Sequence, residues 1–213
     1  MYRLANDLHA CLVGETPVLL DTAAGRYQLA RGQMGCNLAA FLRKQATGAM
    51  CEALVEGGLI VSAPHTEDRH PEPERPNYTH LRDIRLGLGW TLLPVALILL
   101  VMAMMRVRRM PLHALIQGLQ EEAGHPVKPP FLAISEARII ATFCLARCLL
   151  PLRDQCLPYS VATAQMLRLF CHRPTIIIGV RLPIAAHCWV QCEDRLIGDT
   201  LDTVEGFQPI LTI

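Results

Sequence analysis

Between residues 155 and 199 a cysteine, a histidine and an aspartate follow one another, each in a setting suited to thiol chemistry. Cys156 stands just before Pro158, and proline is tolerated in a helix only in the first turn, where its missing N–H is not needed. A helix running through Phe170 therefore begins beside the thiol. Its free N–H groups and positive dipole end favour the thiolate, the form that acts as a nucleophile. Residues 161, 162, 164, 166, 167, 169 and 170 are all apolar, which predicts that this helix is buried within its domain.

The β-branched run from Thr175 to Val180 reads as a buried strand, and His187 to Cys192 as the next. Alternation along that strand puts His187 on the face of Trp189 and Gln191, opposite Cys188 and Cys192. If Leu196 to Asp199 returns as a hairpin partner, a two-residue turn at Glu193-Asp194 sets Asp199 opposite Cys188, on the wrong face. A turn from Cys192 to Asp194 sets it across from His187, so the triad is expected to require the odd connection. Each residue also has a purely structural explanation: cysteine is a small buried hydrophobe, and aspartate caps turns. Their joint order favours Cys156 as nucleophile, His187 as general base and Asp199 as its orienting partner.

The motifs Cys-Leu-Pro-Tyr-Ser from Cys156, Ile-Gly-Val-Arg from Ile178, His-Cys-Trp-Val from His187 and Gly-Asp at Gly198 resemble the transglutaminase-like cysteine peptidases of lasso-peptide maturation, the B protein family. Members usually carry Ala or Ser where this chain has Cys188, a departure on the strand face away from the triad. The resemblance implies an α+β chain, with an N-terminal winged helix-turn-helix (three strands, then helices) and a C-terminal transglutaminase/papain-like peptidase domain. It further implies that the N-terminal unit binds the leader of a ribosomally made precursor peptide while Cys156 cleaves leader from core. The freed α-amine then goes to a partner cyclase resembling asparagine synthetase. The Cys156 N–H is the natural oxyanion donor, with Gln155 and Tyr159 as candidates for a second, and Trp189 is expected to touch substrate. No Gly-rich phosphate loop is present, so no cofactor is expected on this chain and ATP use falls to the partner. Two other activities fit the same residues: acyl transfer to an amine, and a non-enzymatic leader-binding escort for the cyclase.

A net charge of +1 gives no basic patch of the kind nucleic acid requires. The cysteines number nine, an odd set without a Cys-x-x-Cys pair, and there is no early signal-peptide pattern. These features predict reduced thiols and a cytoplasmic protein, with no metal site and no disulfide framework.

Residues 1–63 read as the leader-recognition unit. Short strands are expected at His9 to Val13, Val18 to Asp21 and Tyr27 to Leu29, then helices at Gln33 to Gln45 and Ala49 to Glu56, closed by Gly57-Gly58. In the resembled family the leader adds as a strand to the sheet edge and packs on the last helix. That points to Tyr27, Gln28, Leu29, Cys51, Leu54 and Val55. Residues 64–80, with Pro64, Pro71, Pro73 and Pro76, read as a linker, and 81–213 as the peptidase domain. Residues 86–105 carry no charge and meet the length of a membrane-spanning helix. Gly87, Gly89 and Pro94 interrupt them, and the resemblance implies a hydrophobic helix that opens the peptidase domain and packs within it, so a buried core helix is expected, with membrane association as the alternative. A polar stretch from Gln117 to Pro130 and a helix from Ile134 to Leu150 follow.

Overall fold

A computed structural model describes residues 2–63, 75–79, 89–124, 134–150 and 155–213. Near the N-terminus, strands β1 (Tyr2–Leu4), β2 (Leu8–Val13), β3 (Thr16–Asp21) and β4 (Arg26–Leu29) precede helices α1 (Gly32–Leu42) and α2 (Gly48–Glu56) and strand β5 (Ile60–Ser62). The three expected strands form an antiparallel sheet in the order β2-β3-β4, while β1 and β5 pair with each other. Helix α2 ends as its glycines predict. Gly58 takes φ +71, its N–H bonds the Val55 carbonyl, and the Leu59 N–H bonds the Leu54 carbonyl.

Alternation in β3 sends its side chains to two cores. Leu19 joins Leu38, Cys51, Leu54 and Ile60 under the helices. Val18 and Leu20 face the other way, into one cluster with Phe143, Val161, Ile176 and Val190. Strand β4 follows the same rule, because Tyr27 pairs with Leu20 and Leu29 with Val18.

The C-terminal part is a layered arrangement of helices on a sheet. After a 3-10 turn at Trp90–Leu92 come α3 (Leu93–Arg109), α4 (Leu112–Gly124), α5 (Glu136–Leu149) and α6 (Cys156–Leu169). Strands β7 (Thr175–Arg181), β8 (Ala185–Cys192) and β9 (Arg195–Ile197) follow, then helix α7 (Leu201–Glu205) and strand β10 (Gln208–Thr212). A further strand, β6 (Tyr78–Thr79), runs parallel to β9 and completes the order β10-β7-β8-β9-β6. Helix α6 lies between β8 and the pair α3 and α5.

Several expectations are revised. Tyr78 and Thr79, assigned by composition to the linker, form an edge strand; residues 64–74 and 80 lie outside the described residues. The polar stretch from Gln117 is helical through Gly124 as part of α4, its remainder lying outside the described residues. Of the uncharged segment, 86–88 also lie outside them. Trp90–Arg109 is long and apolar enough to cross a membrane, yet α3 is neither a free span nor a wholly buried core helix. Leu93, Ala96, Leu100 and Ala103 are buried in the core, and the opposite side is exposed.

Candidate active site

Cys156 is the first residue of α6, with Gln155 as N-cap and Pro158 inside the first turn. Its N–H therefore has no acceptor within the helix. Ser160, one turn on, donates a 2.9 Å hydrogen bond to the Cys188 carbonyl and fixes α6 against β8. His187 projects from β8 toward the thiol on the face of Trp189 and Gln191, as alternation predicts. Its Nε2 lies 2.5 Å from Asp199 Oδ2, which leaves Nδ1 turned to Cys156.

The route by which Asp199 reaches His187 differs from the expected one. The hairpin uses the two-residue turn Glu193-Asp194, and its register pairs Val190 with Ile197, Gln191 with Leu196 and Cys192 with Arg195. Continued, that ladder would set Asp199 opposite Cys188, on the wrong face. It does not continue, because Gly198 takes φ +73, a conformation that costs glycine nothing and that other residues avoid. Asp199 thereby leaves the strand and meets the imidazole. It is held there from two sides: its Oδ1 accepts from the Thr200 N–H at 2.9 Å, and its carbonyl accepts from Thr79 Oγ1 at 2.8 Å. Nothing in the local pattern around Thr79 signals this role across the chain.

The imidazole is packed as well as bonded. Its ring stacks on Trp189 with centroids 6.1 Å apart and sits 5.4 Å from that of Phe207. Trp189 is buried and donates through Nε1 to Gln191 Oε1 at 2.8 Å. Gly179, the cross-strand partner of His187, makes room for the indole; a Cβ there would lie 2.5 Å from Trp189 Cζ3.

Burial alone would push the Cys156 thiol up. Hydrogen bonds from His187 and from the backbone at Cys188 and Leu157 outweigh it and hold the thiol below its usual range. His187 moves the opposite way, to about 9, chiefly through its bond to Asp199 and then through Cys156. By contrast, burial pushes Cys11, Cys144, Cys188 and Cys192 up, as expected of structural thiols. The three groups of the triad are partly exposed and open onto a cleft of about 440 Å³.

Gln155 borders this cleft, and its Oε1 is buried without a hydrogen-bond partner. Amide oxygen and nitrogen are assigned from their partners, so the opposite rotamer would offer Nε2 at that place. Tyr159 sits edge-on to Phe143 with its hydroxyl buried near Gly198, and the Arg147 guanidinium lies 5.3 Å from its ring centre.

The residues predicted to hold the leader are dispersed. Gln28 and Val55 are exposed. Cys51 and Leu54 are taken up by the core beneath α1 and α2. Tyr27 and Leu29 pack on the core shared with the C-terminal sheet. Burial raises the Tyr27 phenol to about 12, with the thiols of Cys188, Cys156 and Cys11 adding to it, so this N-terminal side chain lies near the reactive cysteine.

A family model described as the Transglutaminase-like superfamily matches residues 96–212, more than half of the chain and all three residues of the triad. No curated protein and no solved structure matches it.

Proposed function

The chain belongs to the transglutaminase-like superfamily, and from that premise we propose that it is a leader peptidase of lasso-peptide maturation. The observation that carries the reading is the thiol at the N-terminus of α6 beside an imidazole held by Asp199.

The Cys156 thiolate attacks the carbonyl carbon of the last leader residue, forming an S–C bond and an oxyanion. The Cys156 N–H and the Gln155 amide donate to that oxyanion. His187 gives its Nδ1 proton to the departing amine as the C–N bond breaks, which leaves a thioester and the free core. His187 then takes a proton from water, whose oxygen attacks the thioester, and the thiol and the leader carboxylate are released. Asp199 holds the imidazolium through its bond to Nε2.

In this reading the leader docks on the N-terminal unit as a strand along β4, the sheet edge whose Gln28 is exposed. Tyr27 joins that edge to the neighbourhood of Cys156. Holding the substrate there makes cleavage effectively intramolecular. The core, with its new α-amine, passes to an asparagine synthetase-like cyclase that supplies the ATP-dependent ring closure.

The test is intact mass spectrometry of the cognate precursor, co-expressed with its cyclase and either the wild type or Cys156→Ala. Leader loss with the wild type alone supports the reading. Equal loss with both removes it in favour of an escort, and a peptide–amine adduct indicates acyl transfer.

A further inference from the structure

The outward face of α3 has no role in the site described above. Trp90 is 61% exposed, Ile98 60% and Met102 48%, and Val95, Val101 and Met105 are exposed with them. Residues 95, 98, 102 and 105 recur at helical spacing, so they form one stripe along a helix about 26 Å long. Scattered apolar residues on a surface are ordinary, whereas a continuous stripe marks an interaction face. It cannot turn inward, because Leu93, Ala96, Leu100 and Ala103 already bind the other side of α3 to the core.

The charges select the occupant. From Gly89 to Gln120 the sequence holds no Asp or Glu. At the C-terminal end of the stripe Arg108 and Arg109 are exposed, while Arg106 is tied to Glu122 of α4 at 2.8 Å. At the other end Arg138 of α5 donates to Thr91 Oγ1 at 2.8 Å. A second copy laid parallel on the stripe would set Arg108 and Arg109 against the same arginines. An anionic lipid surface complements both features, taking the apolar stripe below its headgroups and the arginines among them. Trp90 then sits at the depth that indoles favour.

We infer that α3 is a docking helix that lies in the plane of an anionic membrane, with its buried face kept in the protein core. On the core-facing side of α3, Met104, Val107 and Arg108 line a slot of about 240 Å³ that reaches Gln155 and Cys156. The inference does not depend on the peptidase reading, since binding is measured without turnover.

The experiment is co-sedimentation of the full chain with phosphatidylcholine vesicles, with and without phosphatidylglycerol, and thermal melts as a control for folding. The wild type is expected to bind the anionic vesicles, and to bind them less as salt rises. Ile98→Glu with Met102→Glu should weaken binding roughly tenfold or more, and Arg109→Gln about fivefold, with melting unchanged. Failure to bind either vesicle overturns the inference, as does equal binding by the folded variants. A dimer in sedimentation velocity that Ile98→Glu dissolves would also overturn it, assigning the stripe to a second copy.

Discussion

His187 is held by two partners that act in the same direction. Asp199 on one nitrogen and Cys156 on the other raise it to about 9, against a burial that works the opposite way. Cys156 is lowered by the same contact, so each group favours the charged form of the other and the two titrate as a unit. The expected kcat/KM profile is bell-shaped, with its acid limb below the ordinary thiol pKa and its basic limb near 9. Asp199→Asn removes the largest support of the imidazolium, so the basic limb should move down and kcat fall by roughly two to four orders of magnitude. The pH dependence of iodoacetamide alkylation reads the same pair without substrate, and an unmoved basic limb in the variant would rule out Asp199 as the partner. Linkage gives a stability counterpart. A raised histidine pKa stabilises fully below the unfolded value of 6.5 and loses that contribution as pH climbs through about 9. Denaturant melts across that window should show the loss in the wild type and little of it in Asp199→Asn. The oxyanion assignment is separable from all of this. Gln155→Ala should lower kcat by about two to three orders of magnitude with KM little changed, and an unchanged kcat would leave the Cys156 N–H without this partner.

Strand β8 and the segment after β9 show why some of the site is legible in sequence and some is not. The face shared by His187, Trp189 and Gln191 follows from the period of two, a local property of any strand. The thiol at a helix start follows from Pro158 in the same local way. Asp199 does not, because its placement depends on one left-handed residue, and a ladder extended past Gly198 gives the wrong face. Equally hidden are the bond from Thr79 to the Asp199 carbonyl and the pairing of β1 with β5, since both join segments far apart in the chain. Helix α4 was obscured by its polar outer side, although Leu115, Ile116 and Leu119 mark its buried one. Two glycines therefore test the positioning of the site. Gly198→Ala has space beside Tyr159, so its cost is conformational, about 1–2 kcal/mol, and it should misdirect Asp199 and lower kcat. Gly179→Ala drives a methyl into Trp189 and should cost about 1–3 kcal/mol in denaturant melts. Wild-type stability and activity in Gly179→Ala would show that the stack under His187 is not under packing constraint.

At the scale of the molecule, the N-terminal sheet is a layer between two cores and not an appended module. Its Leu19 side belongs to α1 and α2, while Val18, Leu20 and Cys11 enter the cluster that also contains Val161, Ile176 and Val190. Composition points to a boundary at the proline-rich stretch, because local residue choice reports a break in secondary structure and is blind to which surfaces later meet. The shared core ties β4 to the candidate site, since Tyr27 and Leu29 contribute to the cluster on which α6 rests. It also makes a thermodynamic prediction that two independent units would not satisfy. Leu20 is fully buried, so Leu20→Ala should cost about 2–5 kcal/mol. If the halves unfold together, that loss lowers the denaturant midpoint of the C-terminal half as much as that of the N-terminal half. The indole emission of Trp90 and Trp189, the two tryptophans of the chain, reports the C-terminal half alone. An unshifted tryptophan transition in Leu20→Ala would mean that the two halves fold separately and that the contact through Val18 and Leu20 contributes little.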